Sequence, residues 1–337
     1  MDDRSGGRLG RTTLPPRVED VDARPLGSAP FSVSVAGLGC NNLGRPDTFT
    51  FDQEGADAVV AAAIDAGVTF FDTADIYGAE YGLSETRLGA AIRGRRDGLV
   101  IATKFGHTGA PSPIAGAKGS RAYIRAAVEG SLRRLGTDRI DLYQQHTPDP
   151  SVPIEETLGA LDELVDEGKV LAIGHSNFDA AGIAEAESAA ARLGTARFVS
   201  AQNEYNLLSR DVEREVLPAA RRAGLGFLPF FPLANGLFTG KFSRTERPAD
   251  SRIARQRPHV HENAPWDAIE AYEAFCAERG ITILDATFGW LLAQSGLSSV
   301  IAGATRPEQV RANAAAATAW TPSAEDVEAI SALFPPA

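Results

Sequence analysis

The sequence has little cysteine: only Cys40 and Cys276 occur among its 337 residues. Structural zinc sites and disulfide frameworks need clustered or paired cysteines, and neither residue belongs to a CxxC pair. We therefore expect no resident metal site and no disulfide-stapled secreted fold. Unclustered thiols of this kind favour a reducing, cytoplasmic location.

The chain also lacks an excess of basic residues. It carries 33 Lys and Arg against 44 Asp and Glu, a formal net charge of -11. Nucleic acids and anionic membranes attract basic surfaces, so neither is an expected partner. No apolar run reaches the roughly 18 residues of a membrane span, and the N-terminus has no signal-peptide core. Its Gly, Pro and charge content predicts a disordered tail over residues 1–20, followed by a single domain over 21–337.

What the sequence does contain is a regular alternation of short apolar runs with Ala-rich helical stretches. The predicted strands are 33–38, 68–72, 99–103, 140–145, 170–174, 198–202, 225–230 and 299–302. The predicted helices are 53–66, 84–93, 121–135, 154–167, 179–193, 211–223 and 266–294, with a last helix from near Pro307. Eight nearly continuous apolar strands alternating with helices predict a closed α/β barrel, the (β/α)8 TIM barrel.

Turn residues refine this architecture. Residues 24–34 suggest a β-hairpin that closes the barrel floor. Glycines in the left-handed conformation are expected to end five helices, at Gly67, Gly136, Gly168, Gly194 and Gly224. Two segments rich in Gly, Pro or Ser, 105–120 and 232–264, break the rhythm. Loops of that length usually bind something or are disordered.

Four chemically active side chains lie at or just past the ends of consecutive strands: Asp72, Tyr77, Lys104 and His146. The carboxyl ends of barrel strands carry the chemistry in such folds. A cation near a phenol favours the phenolate, so Lys104 is expected to lower the pKa of Tyr77. Asp72 would offset the cost of burying Lys104, and His146 would hydrogen-bond a substrate carbonyl oxygen. Taken singly, each residue is more often structural or solvated; together they form a proton-delivery set.

Six separated motifs, in the same order, resemble those of the aldo-keto reductases. They are FFDTADIYG (70–78), LVIATKFG (99–106), DLYQQHTPD (141–149), IGHSNF (173–178), PFFPLANGLFTGK (229–241) and IAGATRPEQVRAN (301–313). The resemblance covers about residues 24–333. It implies a (β/α)8 barrel, NADPH/NADP+ as the hydride carrier, and a catalytic tetrad of Asp72, Tyr77, Lys104 and His146, with Tyr77 as the general acid.

The cofactor signals agree with a barrel rather than a doubly wound sheet. The segment from Gly37 to Asn42 lacks the third glycine of a dinucleotide-binding fingerprint, and no Tyr is followed by Lys four residues later. The resemblance instead assigns the nicotinamide to Ser176, Asn177 and Gln202, with Phe230 stacked on its ring. Phe231 departs from the family's usual serine. The cofactor-binding set it implies is Gly39, Cys40, Asn41, Asp72, Ser176, Asn177, Gln202, Phe230, Phe231, Pro232, Leu233, Asn235, Gly236, Lys241, Arg252, Gly303, Thr305, Arg306, Gln309 and Asn313.

We expect one end of this site to set the cofactor preference and the other end to set the substrate preference. Arg306 at a helix N-terminus suits a phosphate, which favours NADPH over NADH. The expected substrate pocket consists of Asn41, Asn42, Tyr77, His107 and His146. Its polarity suggests an oxygenated small-molecule carbonyl compound, whereas the physiological substrate, the favoured direction and the oligomeric state stay open. Two alternatives also remain: a cofactor-binding regulatory subunit of the same fold, and a barrel isomerase or aldolase with Lys104 as a Schiff base.

Overall fold

A computed structural model describes residues 22–336, and its centre is an eight-stranded parallel barrel. The strands are β3 (Ala36–Gly39), β4 (Phe70–Asp72), β5 (Val100–Phe105), β6 (Ile140–Gln145), β7 (Val170–Ser176), β8 (Phe198–Glu204), β9 (Gly226–Phe230) and β10 (Val300–Gly303), in the order β10-β3-β4-β5-β6-β7-β8-β9. The barrel closes between β9 and the segment that leads into β10. There the Phe227 N–H donates to Gly296 O at 2.8 Å, and the Ser298 N–H donates to Phe227 O at 3.0 Å. The predicted (β/α)8 barrel is confirmed.

A hairpin closes the amino end of the barrel, as the sequence predicted. Its strands are β1 (Ala23–Pro25) and β2 (Ser32–Ser34), paired antiparallel. Leu26 and Val33 are fully buried against the barrel interior, whose apolar side chains include Phe70, Val100 and Leu142. This apolar plug closes the floor of the barrel, opposite the strand ends where the cavity described below lies.

The prediction of one strand over 33–38 is wrong, because two sheets share this apolar run. Val35 separates β2 from β3, and its N–H donates to Asp22 O at 2.9 Å. Ser34 turns its hydroxyl inward and donates to Ala36 O at 2.7 Å. The chain therefore passes from the hairpin into the barrel within a single residue.

Helices surround the barrel and pack on the outer faces of its strands. They are α1 (Gln53–Asp65), α2 (Leu83–Ala91), α3 (Arg121–Leu135), α4 (Ile154–Asp166), α5 (Ala180–Leu193), α6 (Val216–Arg222), α7 (Arg252–Gln256), α8 (Pro258–Glu262), α9 (Trp266–Arg279), α10 (Ile283–Leu292), α11 (Pro307–Ala319) and α12 (Ala324–Leu333). Short 3-10 turns occur at Cys40–Asn42, Asp211–Glu213 and Ala234–Thr239. All five glycines predicted to end helices have positive φ.

Three predictions about helices and loops need correction. The stretch 211–223, predicted as one helix, is the 3-10 turn Asp211–Glu213 followed by α6. The stretch 266–294 is two helices, because Gly280 ends α9 in the left-handed conformation. Thr282 then starts α10 with a capping box shared with Asp285. The segment 232–264, expected to be a loop, contains α7 and α8.

Two further expectations concern the N-terminal tail and membrane-spanning segments. The tail expected at residues 1–20 lies outside the described residues. Between residues 22 and 336, no helix is both long and apolar enough to cross a membrane.

Candidate active site

A buried ion pair lies at the carboxyl end of the barrel. The Lys104 Nζ is 2.6 Å from Asp72 Oδ2 and also donates to Thr73 O at 3.0 Å. Lys104 is 0% exposed and Asp72 4%. Burial alone would lower the pKa of the Lys104 amine, but Asp72 and Tyr77 together raise it above the usual value. Lys104 is therefore an ammonium group at neutral pH.

The second oxygen of Asp72 is held by two amide side chains. Gln144 and Gln202 each donate their Nε2 to Asp72 Oδ1 at 3.1 Å. They also bond to each other, from Gln202 Nε2 to Gln144 Oε1 at 3.2 Å. Strand register explains the contact, since Lys104 pairs with Gln144 across β5 and β6. Gln144 was not predicted as a site residue. A polar residue at a strand position that pairs with Lys104 was the sequence feature that could have indicated it.

Tyr77 lies beside this ion pair on the loop after β4. The Lys104 Nζ is 5.1 Å from the centroid of the phenol ring. Burial raises the pKa of Tyr77 above its usual value, and the Lys104 ammonium opposes that shift without overcoming it. Lys104 thus lowers the pKa of Tyr77, as expected, but burial outweighs this effect and the net shift is upward. Tyr77 is a neutral phenol held next to a cation.

His146 completes the group as a neutral imidazole. Its ring is edge-on to Tyr77, with centroids 5.8 Å apart, and edge-on to His107 at 4.7 Å. Burial lowers the pKa of His146 well below its usual value, and the nearby Lys104 and His107 lower it further. The Nδ1 of this imidazole is buried without a hydrogen-bond partner within residues 22–336. Its backbone is fixed, however, because the His146 N–H donates to Phe105 O at 2.8 Å and Asn177 Nδ2 donates to His146 O at 2.9 Å.

A cavity of about 970 Å³ begins at this group and extends over the ends of β9 and β10. With two exceptions, every residue predicted for the site contributes to its wall. Lys104 lies behind the wall, under Tyr77. Cys40 is 1% exposed and its thiol faces the backbone of Leu38, so its side chain is separated from the cavity.

The loop after β9 forms a tight backbone cradle along the cavity. Phe231, Ala234 and Asn235 have φ values of 52°, 46° and 61°, and Gly236 has φ of 101°. L-residues rarely adopt this conformation, and such strain clusters at ligand sites. Asn235 Oδ1 is buried without a hydrogen-bond partner in the described part of the chain. The cradle therefore presents polar groups to the cavity that the protein itself does not satisfy.

Three guanidinium groups converge beside this cradle. The Cζ atoms of Arg252 and Arg257 lie 5.3 and 5.5 Å from the Phe231 ring centroid. Burial lowers the pKa of Arg252 to about 10, with Arg45 and Arg257 lowering it further. Arg45 donates to Asn42 Oδ1 at 3.2 Å. None of the three arginines forms an ion pair within residues 22–336. Arg45 and Arg252 line the cavity, whereas Arg257 lies outside its wall. This end of the cavity is therefore suited to an anion.

Sequence reasoning found Arg252 but missed Arg45 and Arg257. Both missed residues lie on loops that only the fold brings together. The aromatic ring of Phe231 lies under the Arg252 and Arg257 guanidiniums. Contacts of this kind are worth roughly 0.5–1 kcal/mol at exposed sites.

Comparison with known proteins identifies the family. The chain belongs to the aldo/keto reductase family, whose sequence model matches residues 36–334. It is also similar to a protein from Glycine max named probable aldo-keto reductase 1, with 34% identity over 291 residues, covering 86% of this chain and 82% of the relative. Members of this family are oxidoreductases that act on carbonyl groups of small molecules with nicotinamide cofactors.

Proposed function

We propose that this protein reduces an aldehyde or ketone to the alcohol with NADPH, reversibly, and that Tyr77 supplies the proton. The observation that carries the proposal is the shared site of a neutral phenol, a buried ammonium–carboxylate pair and a neutral imidazole. These groups surround one end of a cavity large enough for a ligand. Family membership supports the same reaction class.

The residues along the cavity fit a dinucleotide. The buried, unpartnered Arg252 Nε and Asn235 Oδ1 would be satisfied by a polar ligand in the cradle. Ser176 and Asn177 would hold the carboxamide, Phe230 the ring face, and Lys241 with Arg252 the pyrophosphate. A bound nicotinamide would supply the hydride to the carbonyl carbon. The unpaired arginines favour the more highly charged NADPH over NADH.

Within this site each side chain has a distinct task. Tyr77 donates its hydroxyl proton to the carbonyl oxygen as negative charge develops there. Lys104 stabilises the phenolate left behind, and Asp72 keeps that amine charged in a buried place. His146, a neutral imidazole, orients the carbonyl oxygen beside Tyr77.

The walls near these groups indicate the kind of substrate. His107 lines the cavity against His146. Asn41 and Asn42 line it beside Gly303, at the end of β10. Amide and imidazole groups form hydrogen bonds with hydroxyl and carbonyl oxygens. We infer an oxygenated small-molecule carbonyl compound as substrate. Both cysteines are unpaired in the described structure, which supports a cytoplasmic location.

The test is NADPH oxidation, followed by nicotinamide absorbance, with a panel of aldehydes and ketones. Tyr77→Phe removes one hydroxyl and should reduce turnover about a hundredfold to ten-thousandfold, the usual contribution of a general acid. NADPH binding should stay within about twofold, because the aromatic ring remains. Turnover retained by Tyr77→Phe would show that the proton comes from another group. NADPH binding without turnover of any carbonyl compound by the unmodified protein would favour the regulatory-subunit alternative.

A further inference from the structure

Two large aromatic side chains are exposed on the loop between β3 and α1. Phe49 is 45% exposed and Phe51 is 47%. The loop is well ordered by hydrogen bonds: the Gly44 N–H donates to Thr50 O at 2.8 Å, and Thr50 Oγ1 donates to Asn42 O at 2.6 Å. The exposure of Phe49 is therefore built into the loop, not a result of fraying.

Only one of the two phenylalanines belongs to the cavity. Phe49 lines the cavity, as do Gln309 and Asn313 of α11, whereas Phe51 is not part of the wall. The Arg306 Cζ lies 5.7 Å from the Phe49 ring centroid. Arg306 makes no ion pair within residues 22–336, so its charge is available to a ligand.

This end of the cavity combines three kinds of group in one place. It has a half-exposed aromatic face, a guanidinium without an acidic partner, and side-chain amides. An aromatic face binds a flat heterocycle by stacking, whatever the base. A guanidinium binds phosphate oxygens, and amides bond to ring nitrogens or hydroxyls. A purine nucleotide bearing a phosphate presents all the matching groups.

We propose that Phe49 is a cofactor-binding residue and forms the aromatic wall on which the adenine ring of the dinucleotide stacks. Arg306, beside it, takes the phosphate on the adenosine ribose. This inference rests on the proposed function, because it names a new contact to the cofactor that function requires. None of the six sequence motifs includes Phe49, which lies on a loop before the first of them.

The experiment compares Phe49→Ala with Phe51→Ala, a substitution of an equally exposed ring outside the cavity. Dissociation constants are measured for NADPH and for 2′,5′-ADP, which carries adenine and the phosphate without nicotinamide. Loss of one stacked base typically costs about 1–3 kcal/mol, so Phe49→Ala should weaken both ligands by about tenfold. Phe51→Ala and Phe49→Trp should each stay within about twofold of the unmodified protein.

A truncated cofactor separates stacking from damage to the loop. Reduced nicotinamide mononucleotide has no adenine, so its rate of hydride transfer should be the same in the unmodified protein and in Phe49→Ala. The proposal would be overturned if Phe49→Ala lowered the rate with reduced nicotinamide mononucleotide by the same factor as it weakened NADPH binding. Unchanged affinities of Phe49→Ala for NADPH and 2′,5′-ADP would overturn it as well. Failure of the unmodified protein to bind NADPH would instead overturn the proposed function, and the inference with it.

Discussion

Lys104 stays charged in a buried site because Asp72 offsets the unfavourable effect of burial. The two groups are 2.6 Å apart and nearly inaccessible to solvent. Removing one partner of such a pair leaves an uncompensated buried charge, which typically costs about 3–5 kcal/mol. The contact with Asp72 thus keeps the Lys104 ammonium available to stabilise a phenolate at Tyr77.

Variants of the ion pair should separate stability from chemistry. Lys104→Met alone should destabilise the fold, while the double variant Asp72→Asn with Lys104→Met removes both charges and should recover much of that loss. Turnover should be at least about a hundredfold lower in both, since the phenol loses the cation that assists its ionisation. In the double variant the alkaline limb of the pH–rate profile should move to higher pH. Near-normal turnover of the double variant, measured by NADPH oxidation, would rule out this role of Lys104.

Asp75 is a buried carboxyl group that the proposed reaction does not use. Its Oδ2 accepts a hydrogen bond from the Tyr81 hydroxyl at 2.5 Å. Its Oδ1 has no partner in the described part of the chain. Burial raises the pKa of Asp75 to about 7; Tyr81 opposes this shift, and Glu85 adds to it. Ionised Asp75 is therefore unfavourable in the folded state.

The sign of the resulting pH dependence follows from linkage. A folded-state pKa above the unfolded value gives stability that is complete below about pH 4 and is lost as the pH rises through about 7. Asp75→Asn cannot ionise, so its melting temperature should fall less than that of the unmodified protein between roughly pH 5 and pH 8. Asp97, whose side chain is 92% exposed, provides the control, because Asp97→Asn should leave the difference unchanged. Parallel melting curves for all three proteins would contradict the assignment.

At the scale of elements, the sequence predicted the barrel strands well because each is a short, almost continuously apolar run. Its errors have local causes. Gly280 splits the stretch 266–294, since a left-handed glycine and the Thr282 cap end one helix and start another. The run 33–38 was predicted as one strand because a pattern of apolar residues does not show which of two sheets each residue joins.

The site was predictable where it lies on strand ends and less so where it depends on loops. Asp72 and Lys104 end strands, so barrel topology brings them together. Arg45, Phe49 and Arg257 lie on loops whose meeting depends on the whole fold. The direction of the Tyr77 pKa was missed for a different reason: burial, which outweighs Lys104 there, cannot be read from residue order.

The start of α11 provides a prediction about cofactor choice. Arg306 precedes this helix and faces the cavity. A hydrogen bond to a charged group is typically worth about 1.5–3 kcal/mol, so Arg306→Ala should weaken NADPH binding by roughly ten- to a hundredfold and leave NADH binding nearly unchanged. Arg311, exposed on the same helix, is the matched control. Titrations of both cofactors decide the point: an unchanged NADPH to NADH ratio in Arg306→Ala would refute a phosphate contact there.

At the scale of the whole molecule, the net charge is negative although cationic side chains line the cavity. The chain carries a formal charge of -11, which repels an anionic cofactor at long range. The cavity wall nevertheless contains Arg45, Arg252, Arg306 and Lys241. Close contacts with unpaired cations should outweigh the distant negative surface, because Coulomb energy falls with distance and is weakly screened in a partly buried site.

Salt dependence tests which of these two effects governs binding. The Debye length falls from about 10 Å at 0.1 M to about 3 Å at 1 M ionic strength. If the cavity arginines dominate, the NADPH dissociation constant should rise several-fold over that range, and more steeply than that of NADH, which lacks the additional phosphate of about −1.5 to −2 charges. If the net negative charge dominates, salt should strengthen binding of both cofactors instead. Since only the first outcome fits a cationic clamp on the phosphates, a falling NADPH dissociation constant would argue against the roles of Arg252 and Arg306 together.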